Sequence, residues 1–145
     1  MTKRRSLRKL RSETIHVDQF LPQPPAKVWR MLTEPDRLAT WWTAGDIRPE
    51  VGHRFTLDMG RWGVQPCTVT EVEEERLLSY TFAEGEMDWT ITWRLEPEGA
   101  GTRLFLAHSG FDLDDPRHEM AFRNMSGGWA KMLPHLASKL EETAV

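Results

Sequence analysis

The sequence predicts a single α+β domain. A curved antiparallel sheet of six to seven strands wraps around one long C-terminal helix, and two short helices follow the first strand. Three observations predict it. From Gly45 to His108 apolar residues recur at alternate positions, in runs separated by hairpin-length turns, which is the pattern of antiparallel strands. From Phe122 to Leu140 they recur at helical spacing, forming a stripe that needs cover. The 145 residues suffice for one sizeable core but not for two domains. A sheet with one apolar face and a helix with one apolar stripe cover each other.

Thr14 to Leu21 reads as the first strand, with Ile15 and Val17 alternating against Thr14, His16 and Asp18. Pro22, Pro24 and Pro25 stop it, since each proline removes a ladder donor. A short helix begins there with proline in its first turn, and Ala26, Val28, Trp29, Leu32 and Thr33 line one side of it. Pro35 breaks that helix and opens a second, Asp36 to Thr40, which leads into Trp41 and Trp42.

The strands follow. His53 to Met59 places Phe55, Leu57 and Met59 on one face, and Gly60 and Gly63 mark a hairpin region. Val64 to Val72 sets Cys67 and Val69 against Thr68 and Thr70. Arg76 to Phe82 lies between two acidic turns, Glu73–Glu75 and Glu84–Glu86. Trp89, Ile91, Trp93 and Leu95 then share a face, and Pro97 to Gly101 is a turn. Thr102 to His108 is the last strand, whose unbroken apolar run Leu104–Ala107 predicts cover on both faces. Gly110 to Pro116 reads as an acidic loop. The long helix runs from Pro116 to Glu142, with Phe122, Met125, Trp129, Met132, Leu133, Leu136 and Leu140 as its stripe. Gly127–Gly128 and Pro134 are its candidate bends.

Charge divides the chain. Lys3, Arg4, Arg5, Arg8, Lys9 and Arg11 give residues 1–12 a charge of +6, leaving 13 basic against 22 acidic side chains in the rest. Residues 1–12 read as a flexible basic leader and 13–145 as the domain. No apolar core follows the basic run, so it is not a secretory signal. The folded body has no basic stripe, paired Cys and His or recognition-helix pattern, which argues against nucleic acid as its partner. No stretch has the length of a membrane span. With one cysteine, Cys67, there is no disulfide framework and no multi-cysteine metal site. The cytoplasm is the expected compartment.

Several short stretches together resemble one family. Pro25, Val28, Trp29, Leu32 and Thr33 match its first helix, and Pro35, Leu38, Ala39, Trp41 and Trp42 its "P-x-x-L-x-x-W-W" stretch. Gly52, His53 and Phe55 resemble its glycine-rich entry to the sheet. Gly127, Gly128, Trp129, Met132, Leu133, Leu136 and Leu140 match its closing helix. Over residues 13–142 the chain resembles the AHSA1-like family, related to the C-terminal domain of the activator of Hsp90 ATPase, within the START-like (Bet v 1-like, SRPBCC) superfamily. The resemblance implies the helix-grip fold and a hydrophobic cavity between long helix and sheet. Relatives are variously lipid or polyketide binders, cyclase-like enzymes, stress-associated regulators and chaperone activators.

The chain has seven tryptophans, more than its six phenylalanines and one tyrosine. Trp29 and Trp129 fall on inward helix faces. Trp89 and Trp93 share the concave strand face with Ile91, and Trp62 borders a turn at the mouth. Of the adjacent Trp41 and Trp42, one anchors the short helices and the other meets the rim. The candidate ligand-binding residues are therefore Trp42, Phe55, Leu57, Trp62, Cys67, Trp89, Ile91, Trp93, Met125, Trp129 and Met132. Met59 and Met87 are further inward candidates, because methionine fills irregular space. Arg61 and Arg123 are placed to reach a polar ligand group at the mouth.

Chemistry has few signals. His16, His53, His108, His118 and His135 stand singly, without the close pairing of many zinc motifs. His108 reads as a polar strand end and His118 as part of a capping region, close to Asp112 and Asp114. Cys67 reads as a buried thiol, and Ser109, Ser126 and Ser138 lack a nucleophile context. No phosphate loop is present. No catalytic residue, metal or cofactor is expected. The leading expectation is non-catalytic binding of a hydrophobic or aromatic small molecule in the cavity. The alternatives are a protein-interaction or chaperone-associated module, with an apolar patch around Trp41–Trp42, and a cyclase- or hydrolase-like enzyme. The chain reads as a monomer or homodimer.

Overall fold

The computed structural model describes residues 12–142. The basic residues Lys3 to Arg11 lie outside them, and Ser12, assigned above to the leader, opens the first strand. The elements are β1 (Ser12–Leu21), α1 (Pro25–Thr33), α2 (Pro35–Trp41), β2 (Arg54–Asp58), β3 (Val64–Glu73), β4 (Leu77–Phe82), β5 (Trp89–Glu98), β6 (Gly101–Asp112) and α3 (Pro116–Glu142). The six strands form one open sheet in the order β1-β6-β5-β4-β3-β2, with every neighbouring pair antiparallel. Strands β2 to β6 meander, and β1 joins beyond β6. The α+β class, the long closing helix and the two short helices are all present.

Proline places both short helices. Pro25 and Pro35 each stand in a first turn, where the missing N–H costs no hydrogen bond. The two helices are pinned together by the Trp41 indole, which donates to the Met31 carbonyl at 2.8 Å. Val28, Trp29, Met31, Leu32 and Thr33 are buried on α1, whereas Ala26, expected on the inner side, is exposed.

Three local readings change. Pro97 belongs to β5, paired with Thr102. Leu95 donates its N–H to Arg76, just before β4 begins. The Pro97 nitrogen faces the same side two residues on, where β4 offers nothing, so the ladder loses no bond. Strand β6 continues to Asp112 because Gly110, at φ 97, is an extra residue between the pairs Thr14–Ser109 and Glu13–Phe111. This bulge absorbs the glycine that read as a loop signal. The run Leu104–Ala107 is covered on one face only, since Phe105 and Ala107 are half-buried.

Helix α3 buries His118, Trp129, Leu133, Leu136 and Leu140, and packs against β1, β6 and the short helices. Phe122, Met125 and Met132 are half-buried beside them. The helix runs through Gly127, Gly128 and Pro134 without ending. Among the described residues, no helix is long and apolar enough to cross a membrane.

Candidate functional site

The inner face of the sheet carries more apolar surface than α3 covers. Towards the β4–β5 turn, a pocket of ≈ 530 Å³ opens between the sheet and one side of the N-terminal half of α3. Its walls come from four places. The end of α2 supplies Trp42, and the segment between β2 and β3 supplies Met59 and Trp62. The end of β4 and start of β5 supply Phe82, Met87 and Trp89. Helix α3 supplies Met120, Met125, Trp129 and Met132.

Six of the eleven candidate residues line this space: Trp42, Trp62, Trp89, Met125, Trp129 and Met132. Met59 and Met87 join them. The other five do not line it. Phe55, Leu57, Cys67, Ile91 and Trp93 have the expected facing but are packed into the core, each at most 3 % exposed. Strand parity fixes the face a side chain takes, and the covering elements fix whether it meets open space. Phe55 packs edge-on to Tyr80, while Trp93 packs edge-on to Trp41 and Trp129.

Sequence reasoning missed Phe82 and the rim residues Gln65, Glu86, Arg117, Met120 and Asn124. One signal was available. Arg117, Met120, Asn124 and Gly128 recur at spacings of three and four, marking a second helix face beside the buried stripe. Neither arginine proposed for the mouth lines the pocket: Arg61 sits over the ring of Trp62, beside the mouth, and Arg123 pairs with Glu119 at 2.9 Å. Arg117 is the arginine of the pocket, held to Asp115 at 3.0 Å. That pairing lowers the Asp115 carboxyl to about 2.

The two histidines read as polar ends are both buried. His118, near the start of α3, accepts at Nδ1 from the Trp89 indole at 3.3 Å and from the Asp112 N–H at 3.0 Å. His108, on β6, accepts at Nδ1 from the Trp129 indole at 3.0 Å. Burial pushes the His108 imidazole down to about 3, so the ring is neutral at ordinary pH. The Trp129 bond leaves Nδ1 without a proton, which places that proton on Nε2, and Nε2 is buried with no partner among the described residues. Each histidine thus fixes the plane of one indole in the pocket wall. Among the described residues no group of three His, Cys, Asp or Glu side chains is placed to hold a metal ion.

The expected exposed patch at Trp41–Trp42 is absent, since Trp41 is 2 % exposed and Trp42 half-buried. Exposed apolar side chains occur at the pocket mouth instead, where Trp62 is 64 % and Met120 65 % exposed, and on β3 at Val64.

Residues 22–141 match the family described as Activator of Hsp90 ATPase homolog 1-like protein. The chain belongs to this family. Among solved structures, this AHSA1-like domain is similar to protein MLL2253 of Mesorhizobium loti, at 33 % identity and a TM-score of 0.79, over 90 % of this chain and 98 % of that one. It is also similar to protein BH1534 of Bacillus halodurans, at 27 % identity and a TM-score of 0.75, over 87 % and 95 % of the two chains. The Aha1 dimer of Colwellia psychrerythraea shares the fold at 22 % identity, with a TM-score of 0.72 over 89 % and 96 %. Comparison with curated proteins finds no match.

Proposed function

We propose that this AHSA1-like domain binds a hydrophobic, aromatic small molecule in the pocket between the sheet and α3, without transforming it. One observation carries the reading: the pocket is walled by four indoles, Phe82 and five methionines, with polar side chains confined to a few positions. Indole and phenyl faces give large, rigid apolar area, and methionine adapts to varied outlines. A concave apolar space with few polar groups is the usual form of a small-molecule site. The ionisable side chains that line it, Glu86 and Arg117, are both exposed, and Arg117 is engaged by Asp115. General acid–base chemistry asks for a titratable pair in reach of a sequestered substrate, and these two groups stand in solvent.

The test is direct. Native mass spectrometry of freshly purified protein, with tryptophan quenching by a panel of fatty acids and polycyclic aromatics, should reveal a bound molecule or saturable quenching. Silence across the panel would sink the reading.

A second reading rests on the exposed rim. Trp62 and Met120 both border the pocket and face solvent, so a protein partner docking there would cover them. Replacing Trp62 by serine would then weaken partner capture by the ligand-free protein, and capture unchanged by the substitution would sink this second reading.

A further inference from the structure

Each indole carries one N–H donor and no acceptor, and the fold uses these donors unequally. Trp41 gives its N–H to the Met31 carbonyl at 2.8 Å and Trp93 gives its own to the Tyr80 hydroxyl at 3.0 Å. Trp89 donates to His118 at 3.3 Å and Trp129 to His108 at 3.0 Å. Of the four indoles that line the pocket, Trp89 and Trp129 therefore have no hydrogen bond left to offer. Trp62, at 64 % exposure, stands largely in water. Trp42 differs from all of these. It is half-buried and lines the pocket, with its ring 5.0 Å from Trp129 and 5.8 Å from Trp41. Among the described residues its Nε1–H has no acceptor.

We propose that Trp42 is the specificity-determining donor of the pocket, and that the ligand is a flat aromatic molecule carrying a carbonyl or comparable oxygen that accepts the Trp42 N–H. The inference rests on the small-molecule reading above. With the Trp42 N–H turned to the pocket, as this proposal requires, a ligand that fills the pocket strips water from it. A hydrocarbon leaves the donor unpaired, whereas a carbonyl replaces the lost bond, and such asymmetry discriminates more strongly than an added methylene does. His108 Nε2, a buried donor without a partner among the described residues, does not serve this role. His108 packs behind Phe82, Trp89 and Trp129, at ring separations of 5.9, 5.1 and 6.2 Å, and does not line the pocket. The side-chain polar groups that do line it are Gln65, Glu86, Arg117 and Asn124. Three of these are exposed and Gln65 already donates to the Trp62 carbonyl.

The matched probes fluorene and 9-fluorenone differ at one carbon, which carries the carbonyl in the second. Titrated into the full chain by calorimetry, fluorenone should bind more tightly than fluorene. Trp42→Phe keeps an aromatic plane and removes the N–H. It should weaken fluorenone by about tenfold and fluorene by less than about twofold, in line with one hydrogen bond. Trp62→Phe should leave the ratio of the two affinities unchanged. Equal binding of the two probes to the unaltered chain, or equal losses in Trp42→Phe, would overturn the inference while leaving the small-molecule reading in place. Binding of neither probe would overturn the inference, and the small-molecule reading falls with it only if the wider panel is silent too. Should Trp42→Phe fail to fold, indole N–H resonances of the unaltered chain decide the matter. Fluorenone should shift the Trp42 signal downfield and fluorene should not, while a Trp42 signal unmoved by bound fluorenone overturns the assignment.

Discussion

Trp129 donates its indole N–H to Nδ1 of His108 across 3.0 Å, so one hydrogen bond ties the middle of α3 to the buried face of β6. Both partners are needed for the pocket wall. The indole supplies the surface, and the imidazole fixes its tilt. The bond requires a neutral ring, because a protonated imidazole carries a hydrogen on Nδ1 and can only donate.

Acid should therefore loosen the domain through His108. Its folded pKa, about 3, lies below the 6.5 of a free imidazole. The folded state then binds fewer protons than the unfolded chain. The contribution is fully present above about pH 6.5 and is lost as pH falls towards 3, at a cost on the order of a few kcal/mol. His108→Gln keeps an acceptor for Trp129 but does not titrate. Denaturant unfolding at neutral pH and at about pH 4.5 should show a smaller loss in the variant than in the unaltered chain. The same loss in both would exclude His108 as the source.

The chain's single tyrosine allows a second measurement. Tyr80 is 1 % exposed, its hydroxyl accepts from the Trp93 indole at 3.0 Å, and burial raises its pKa far above the ordinary phenol value. Tyrosinate absorbance should appear only as the protein unfolds in alkali. Tyr80→Phe strands the Trp93 donor in the core and should cost about 1–3 kcal/mol by denaturant unfolding. A smooth tyrosinate titration of the folded protein, or a neutral substitution, would contradict this packing.

Cys67 offers a probe of opening. It is 2 % exposed on β3, and burial, with the Glu84 charge adding to it, pushes its thiol up to about 12. The nucleophile is the thiolate, so a disulfide reagent should label the native protein no faster than the protein opens. Labelling should accelerate with denaturant in step with the loss of structure. Stoichiometric reaction within the mixing time under native conditions would show that Cys67 is accessible.

What the sequence made legible follows from the reach of each signal. Period-two alternation placed Phe55, Leu57, Cys67, Ile91 and Trp93 on the inner face, and all five are buried there. It could not separate core from pocket, because that depends on where α3 lies against the sheet, a long-range contact. His108 was misread because a polar residue at the end of an apolar run usually meets water. Its partner, the Trp129 indole, lies on another element 21 residues away. The Gly110 bulge imitates a loop for the same reason: one glycine marks either feature, and only the pairing of β6 with β1 distinguishes them. The family motifs, by contrast, are local sequence, and they located the short helices and the closing helix correctly.

The paired glycines of α3 separate stability from binding. A Cβ built on Gly127 or Gly128 meets nothing within 4 Å, and both residues are exposed in the helix interior, so neither glycine is needed for close packing. Alanine at either position removes unfolded-state freedom and should raise stability by about 1 kcal/mol. The two positions differ in their surroundings, since Gly128 lines the pocket and Gly127 does not. Gly127→Ala should gain stability with ligand affinity unchanged. Gly128→Ala should gain similar stability while its methyl narrows the pocket between Trp129 and Asn124, lowering affinity for bulky aromatic probes. Thermal unfolding with calorimetric titration of fluorenone checks both halves. Equal binding by the two variants would show that the ligand does not reach this stretch of α3, and would confine it to the part of the pocket nearer Phe82 and Met87.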